Sequence, residues 1–188
     1  MSSIRFAGAA LVFAVGTLAV NVRAQDTFGD AAAMLQFQRS VDNYAFQHRQ
    51  VQRRLGEGVD QQALAAALRA ARPAPTDGDF FTPVIAAAFR HRITTALRAS
   101  DCKMAVPATA TSEVPRVGVL ALGTQAVPSC VLKVLPPLPE ELEYRLASVA
   151  LILLDTHANM VVDVLHGAFP TVRSLYFNGT PLLSTAPP

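Results

Sequence analysis

Tryptophan is missing from this sequence, lysine occurs at positions 103 and 133 alone, and cysteine at 102 and 130 alone. Each scarcity closes a route to function. Neither lysine follows the glycines of a phosphate-binding loop, and Gly56-Glu57-Gly58 lacks the third glycine of a dinucleotide fingerprint. That short motif also follows a helical pattern, where the fingerprint needs a strand. The zinc-protease pattern H-E-x-x-H and the nucleophile elbow G-x-S-x-G are both missing. Cysteines this far apart are not a C-x-x-C redox pair. In an oxidising compartment, however, Cys102 and Cys130 can close one disulfide. Glu140, Glu141 and Glu143 follow a proline and read as first-turn charges or an exposed loop rather than a catalytic pair. No motif calls for a cofactor.

A surplus of charge is also missing. The whole chain carries a formal +2, but two of its arginines, Arg5 and Arg23, lie in what reads as a secretory signal. Arg5 is followed by an uncharged, largely apolar run from Phe6 to Val20, and Val22-Arg23-Ala24 supplies a small-residue cleavage site. That is the order of a signal peptide, and the run is shorter than the ~20 residues of a membrane span. The expectation is a cleavable signal over 1–24, a mature chain starting near Gln25, and a periplasmic or secreted address. No later stretch is long and apolar enough to span a bilayer, so no membrane span is expected after cleavage. Without its signal the chain is formally neutral, which lacks the basic footprint of a nucleic-acid binder.

What is present suits one small α+β domain over 25–170. Met34, Phe37, Val41, Tyr44, His48, Val51 and Leu55 recur at spacings of three and four, which predicts a helix over 30–55 with one apolar stripe. Asp30 is a candidate cap, and Gly56 and Gly58 end the element. His48 on that stripe reads as a buried, hydrogen-bonded or edge residue. Asp60 caps a short helix over 61–71. Thr82-Pro83 starts a third over 83–98, carrying Ile85, Phe89, Ile93 and Leu97 on one side. These two longer helices and one short one predict an antiparallel helical unit.

Residues 103–139 change texture. Pro107, Pro115, Pro128, Pro136, Pro137 and Pro139 exclude long regular elements there. A packed, partly extended connector is expected, with a short strand near Val117–Leu122 and a strand or helical turn at Ser129–Leu135. Beyond it, Tyr144–Ala147, Leu151–Leu154 and the β-branched run 160–165 read as a β-hairpin or three-strand meander over 144–165, with its tight loop at 155–159. The meander should pack on the helices, since two or three strands are marginal alone. Residues 171–188 are expected to be a flexible tail, with a small turn at Asn178-Gly179.

Asp155, His157, Asp163 and His166 fall in or beside that hairpin and are the candidate metal ligands, since Asp and His suit zinc, nickel or cobalt. No spacing forces them to converge. The plainer expectation is that Asp155 and Asn159 make turn hydrogen bonds while the other three are exposed.

The segment Leu138-Pro139-Glu140-Glu141-Leu142-Glu143-Tyr144-Arg145, with Leu151-Ile152-Leu153-Leu154-Asp155-Thr156-His157-Ala158-Asn159-Met160-Val161-Val162-Asp163-Val164-Leu165, resembles a group of small exported bacterial proteins of unknown function. Phe81-Thr82-Pro83 through Ile93 resembles their central helix. The C-terminal hairpin is distantly similar to that of periplasmic RcnB-like nickel/cobalt-homeostasis proteins, which also end on a Tyr-led strand, a tight turn and a Val-rich strand. Ala147-Ser148-Val149-Ala150 departs from the polar, glycine-containing turn expected between the first two strands. The resemblance implies an architecture and an address. The functional expectation is a non-catalytic exported protein, an accessory or binding module for another envelope protein. The alternatives are a periplasmic metal-binding protein and an enzyme of unrecognised type.

Overall fold

A computed structural model describes residues 19–99, 102, 114–170, 176–177 and 180–181. Most of the expected signal peptide, residues 1–18, lies outside the described residues. The first helix, α1 (Ala19–Leu55), runs well upstream of the expected start at residue 30. Asp30 therefore does not cap it. Its carboxylate instead takes the guanidinium of Arg92 within the helical unit.

α1 buries Met34, Phe37, Val41, Tyr44 and His48, one line along its face, as the three-and-four spacing requires. The line then runs off the fold: Val51 is half-buried and Leu55 is exposed. α2 (Gln61–Ala71) begins at Asp60, whose side chain accepts from the Ala63 amide at 2.8 Å. α3 (Pro83–Leu97) begins after Thr82, which makes no side-chain cap. Here the proline itself, which has no amide hydrogen to satisfy, sets the first turn. Phe37 of α1 stacks among Phe81, Phe89 and Tyr144, with ring centroids 5.6, 4.8 and 6.3 Å away.

Residues 103–113 of the expected connector lie outside the described residues; from residue 114 on it is more regular than its prolines suggest. Residues 117–121 lie along one sheet edge, then β1 (Gln125–Ala126) reaches the other, and α4 (Ser129–Leu132) follows Pro128 as one helical turn. The meander has all three strands: β2 (Leu142–Ala147), β3 (Ala150–Asp155) and β4 (Met160–Leu165). The order is β1-β2-β3-β4, antiparallel throughout. The tight β2–β3 turn forms without glycine because Ser148 takes the left-handed backbone, φ 53°. Asn159, φ 46°, does the same at the end of the β3–β4 turn.

β3 and β4 are buried at every position, so these two strands are covered on both faces. One face carries Tyr144, Leu146, Leu151, Leu153 and Leu165 into the main core with α1 and α3. The other carries Ala147, Ala150, Ile152, Val161 and Val164 against Val114, Val117 and Ala121. The connector is thus a strap across the back of the sheet. Gly118 and Ala121 amides donate to Val161 and Asn159 carbonyls, and the Val161 amide returns to Val119. A few residues later the same strap pairs with β2, Gln125 opposite Leu146. Cys102 and Cys130 are joined in a disulfide that closes the loop containing the strap.

The expected tail, 171–188, lies mostly outside the described residues. Within it β5 (Tyr176–Phe177) pairs with β6 (Thr180–Pro181), and the expected turn at 178–179 between them lies outside the described residues.

Candidate functional site

Three buried carboxylates, Asp155, Asp163 and Glu141, organise the polar interior, and none is exposed as a solvated turn residue would be. The first is Asp155, at the end of β3. Tyr44 and His48 are one turn apart on α1 and so face the same way. Tyr44 donates its hydroxyl to Asp155 Oδ2 at 2.8 Å, and His48 Nδ1 lies 2.6 Å from the same oxygen. Asp155 Oδ1 takes the Ala158 amide at 2.8 Å, the turn bond expected of it. A carboxylate only accepts, so the proton between them belongs to His48 Nδ1. On its other side, His48 Nε2 faces His157 Nδ1 at 3.3 Å. His48 and Asp155 are fully buried, whereas His157 is exposed in the turn. Burial, reinforced by the Asp155 charge, pushes the Tyr44 phenol far above its ordinary range. Tyr44 is therefore a fixed donor here.

The second carboxylate is Asp163 on β4. A bulge between β3 and β4, where Leu153 faces Asp163 but Leu154 faces Val161, resets the side-chain alternation. It aims Asp163 at the turn that precedes α3. There the carboxylate accepts from the amides of Gly78, Phe80 and Phe81 at 2.7–2.8 Å, and from its neighbour Val164. Burial raises its pKa, an effect the four donors partly offset.

Glu141 also departs from expectation. It is buried rather than a loop charge: Oε1 takes Arg49 Nη1 at 2.6 Å, and Oε2 has no partner. The Glu141 carbonyl accepts from the Thr156 amide, which ties it to the same turn as His157.

The four residues singled out by type in the sequence are therefore not one site. Asp155 and His157 meet through His48, Asp163 holds a separate turn, and His166 pairs on the surface with Asp77 at 3.0 Å. Among the described residues, no group of three or more His, Cys, Asp or Glu side chains is placed to hold a metal ion. Sequence reasoning missed Tyr44, Arg49 and Glu141 as network members. The available signal was Tyr44 and His48 four apart on an otherwise apolar stripe, since two polar groups facing a core need a partner there.

The surface offers a different kind of feature. Val119, Leu120 and Leu122 are exposed on the strap, Leu122 at 76%. With Val114, Pro115 and Gly123 they line a shallow groove of about 460 Å³ rimmed by Arg116. No protein-family model matches this chain, and no curated protein or solved structure matches it either.

Proposed function

We propose that this chain is an exported, non-catalytic binding module that docks an apolar, acid-bearing segment of another envelope protein in the strap groove. The groove carries the reading. Large apolar side chains on a solvent-facing surface cost hydration unless something covers them, and here three of them share one concavity. Arg116 is exposed on its rim, and Arg69 reaches the strap at the Gly118 carbonyl. A partner carboxylate suits both. The polar interior supports a non-catalytic role: Asp155, Asp163 and Tyr44 are spent on internal hydrogen bonds. Among the described residues, no serine, threonine or cysteine is hydrogen-bonded to His48 or His157 as a nucleophile would be. The disulfide supports export, because such bonds persist in oxidising compartments. So does the charged, apolar and small-residue order of residues 1–24.

Pulldown from periplasmic extract tests the reading. A captured protein should rebind in purified form, and the Leu120→Asp/Leu122→Asp double variant should lose it without a change in melting temperature. Capture that is indifferent to both substitutions, or no capture at all, would remove the groove from consideration.

A further inference from the structure

We propose that the outward face of α1 is a self-recognition surface, where a second copy of this chain docks antiparallel about a two-fold axis between Ser40 and Val41. The face carries a stripe of four exposed side chains, Leu35, Arg39, Asp42 and Phe46. Their spacing of four, three and four keeps them on one side of the helix. That side is opposite the buried line of Phe37, Val41, Tyr44 and His48. The same spacing forms the seam between paired helices. Leu35 and Phe46 are 54% and 53% exposed. An exposed apolar side chain is ordinary by itself; the order of the four points to a partner.

In an antiparallel pair, each residue meets the one equally far beyond the axis. Leu35 then faces the partner's Phe46, and Arg39 faces the partner's Asp42. By symmetry each contact occurs twice, with the ion pairs at the centre and the apolar pairs at the two ends. On the flank Gln38 meets the partner's Asn43, and both amides can donate and accept. A parallel pair would instead set Arg39 on Arg39 and Asp42 on Asp42, which costs several kcal/mol. Among the described residues, neither Arg39 nor Asp42 is in an ion pair within the chain. Asp42 accepts from Gln38 at 3.2 Å. A shallow depression of about 380 Å³ beside Leu35, bounded by Ala32, Gln36 and Arg39, gives the partner's Phe46 a place to lie.

The seam is short. Leu35 to Phe46 spans about 16 Å at ~1.5 Å per residue, so the contact falls below the ~1,200 Å² of a specific, stable interface. The dimer is accordingly weak, with a dissociation constant in the high-micromolar range. α1 packs on one face of the sheet and the strap on the other. Pairing through α1 therefore leaves both docking grooves open, and the inference stands apart from the groove.

Sedimentation equilibrium of the purified protein over a wide concentration range tests this. Wild type should pass from monomer to dimer, with no larger species. Arg39→Asp and Asp42→Arg each set like charges across the axis, and either alone should weaken association at least about tenfold. Both side chains are exposed, so the melting temperatures of the dilute proteins should stay at the wild-type value. The decisive arm mixes the two single variants: acid again faces base at both positions, so a heterodimer should form where neither variant pairs with itself. The double exchange, Arg39→Asp/Asp42→Arg, should regain wild-type association. A wild type still monomeric at millimolar concentration, single variants that associate as wild type does, or a mixture that associates no better than its components would each overturn the proposal.

Discussion

Replacing Asp163 by asparagine removes a charge and almost no volume, so it isolates what the carboxylate does. Four backbone amides converge on its two oxygens, two on each: Gly78 and Val164 on Oδ1, Phe80 and Phe81 on Oδ2. Asparagine keeps one oxygen. Its amide nitrogen must then face two amide N–H groups, which lose their acceptor and meet another donor. A buried donor left without a partner costs about 1–3 kcal/mol, so two cost ~2–6 kcal/mol. Relief from burying a charge returns part of that. Even the lower half of the range is a large fraction of a domain's ~5–15 kcal/mol, and it corresponds to a fall in melting temperature of roughly 10 °C. Urea unfolding, followed by far-UV circular dichroism, measures it. Asp77→Asn is the control: it lies on the same turn, but its partner is the exposed His166, and an exposed pair contributes ~0–1 kcal/mol. If Asp163→Asn unfolds at the same urea concentration as Asp77→Asn, the carboxylate is not what anchors the turn before α3.

Three further outcomes are expected. Stability of wild type and Asp163→Asn should be compared across pH. Because burial raises the Asp163 pKa, the folded chain holds that proton more tightly than the unfolded one. The stabilisation is then fullest below the unfolded value and shrinks as pH rises through the folded one. The gap between the two proteins should narrow as pH rises above the ordinary carboxylate value, and a widening gap would contradict the direction. Phe37→Ala, which empties the centre of the aromatic cluster, should cost ~3–5 kcal/mol in calorimetric unfolding, and an unchanged transition would mean that the α1 stripe is not core. Cys102→Ser/Cys130→Ser should lower stability by ~3.5 kcal/mol, from the chain entropy of a loop spanning a separation of 28 residues. Equal denaturant midpoints with and without the bond would refute it.

The helices were legible because their signals are local. Asp60 before an Ala-rich run, Thr82-Pro83, and apolar residues every three or four positions need no knowledge of the rest of the chain. The meander was legible in kind, since β-branched runs separated by Asp155–Asn159 carry their own turn chemistry. Partnerships between distant segments were not. Asp163 reads as one polar residue in an apolar strand, and its role exists only because a β-bulge turns it toward residues 78–81. Glu141 reads as one of three loop acids, yet Arg49, far away on α1, pairs with it in the interior. The strap was obscured for the opposite reason: its prolines argue against regular strands, and its pairing is made of a few bonds to each edge rather than one continuous ladder.

That strap has a consequence for how the chain must be handled before it is folded. A sheet with bare edges is a template for other chains, and proteins guard against this by covering or shortening the edges. Here a single segment guards both outer strands, β2 through Gln125 and β4 through Gly118 and Ala121. It lies inside the loop that the Cys102–Cys130 bond closes. In the reduced chain the guard is held by these few hydrogen bonds and a small apolar contact, so the two edges become available together. Oxidation would thus fasten the guard that keeps both edges from other chains. A version of this chain retained in a reducing cytosol should accumulate as β-rich aggregates, while the same chain delivered to an oxidising compartment stays monodisperse at equal concentration.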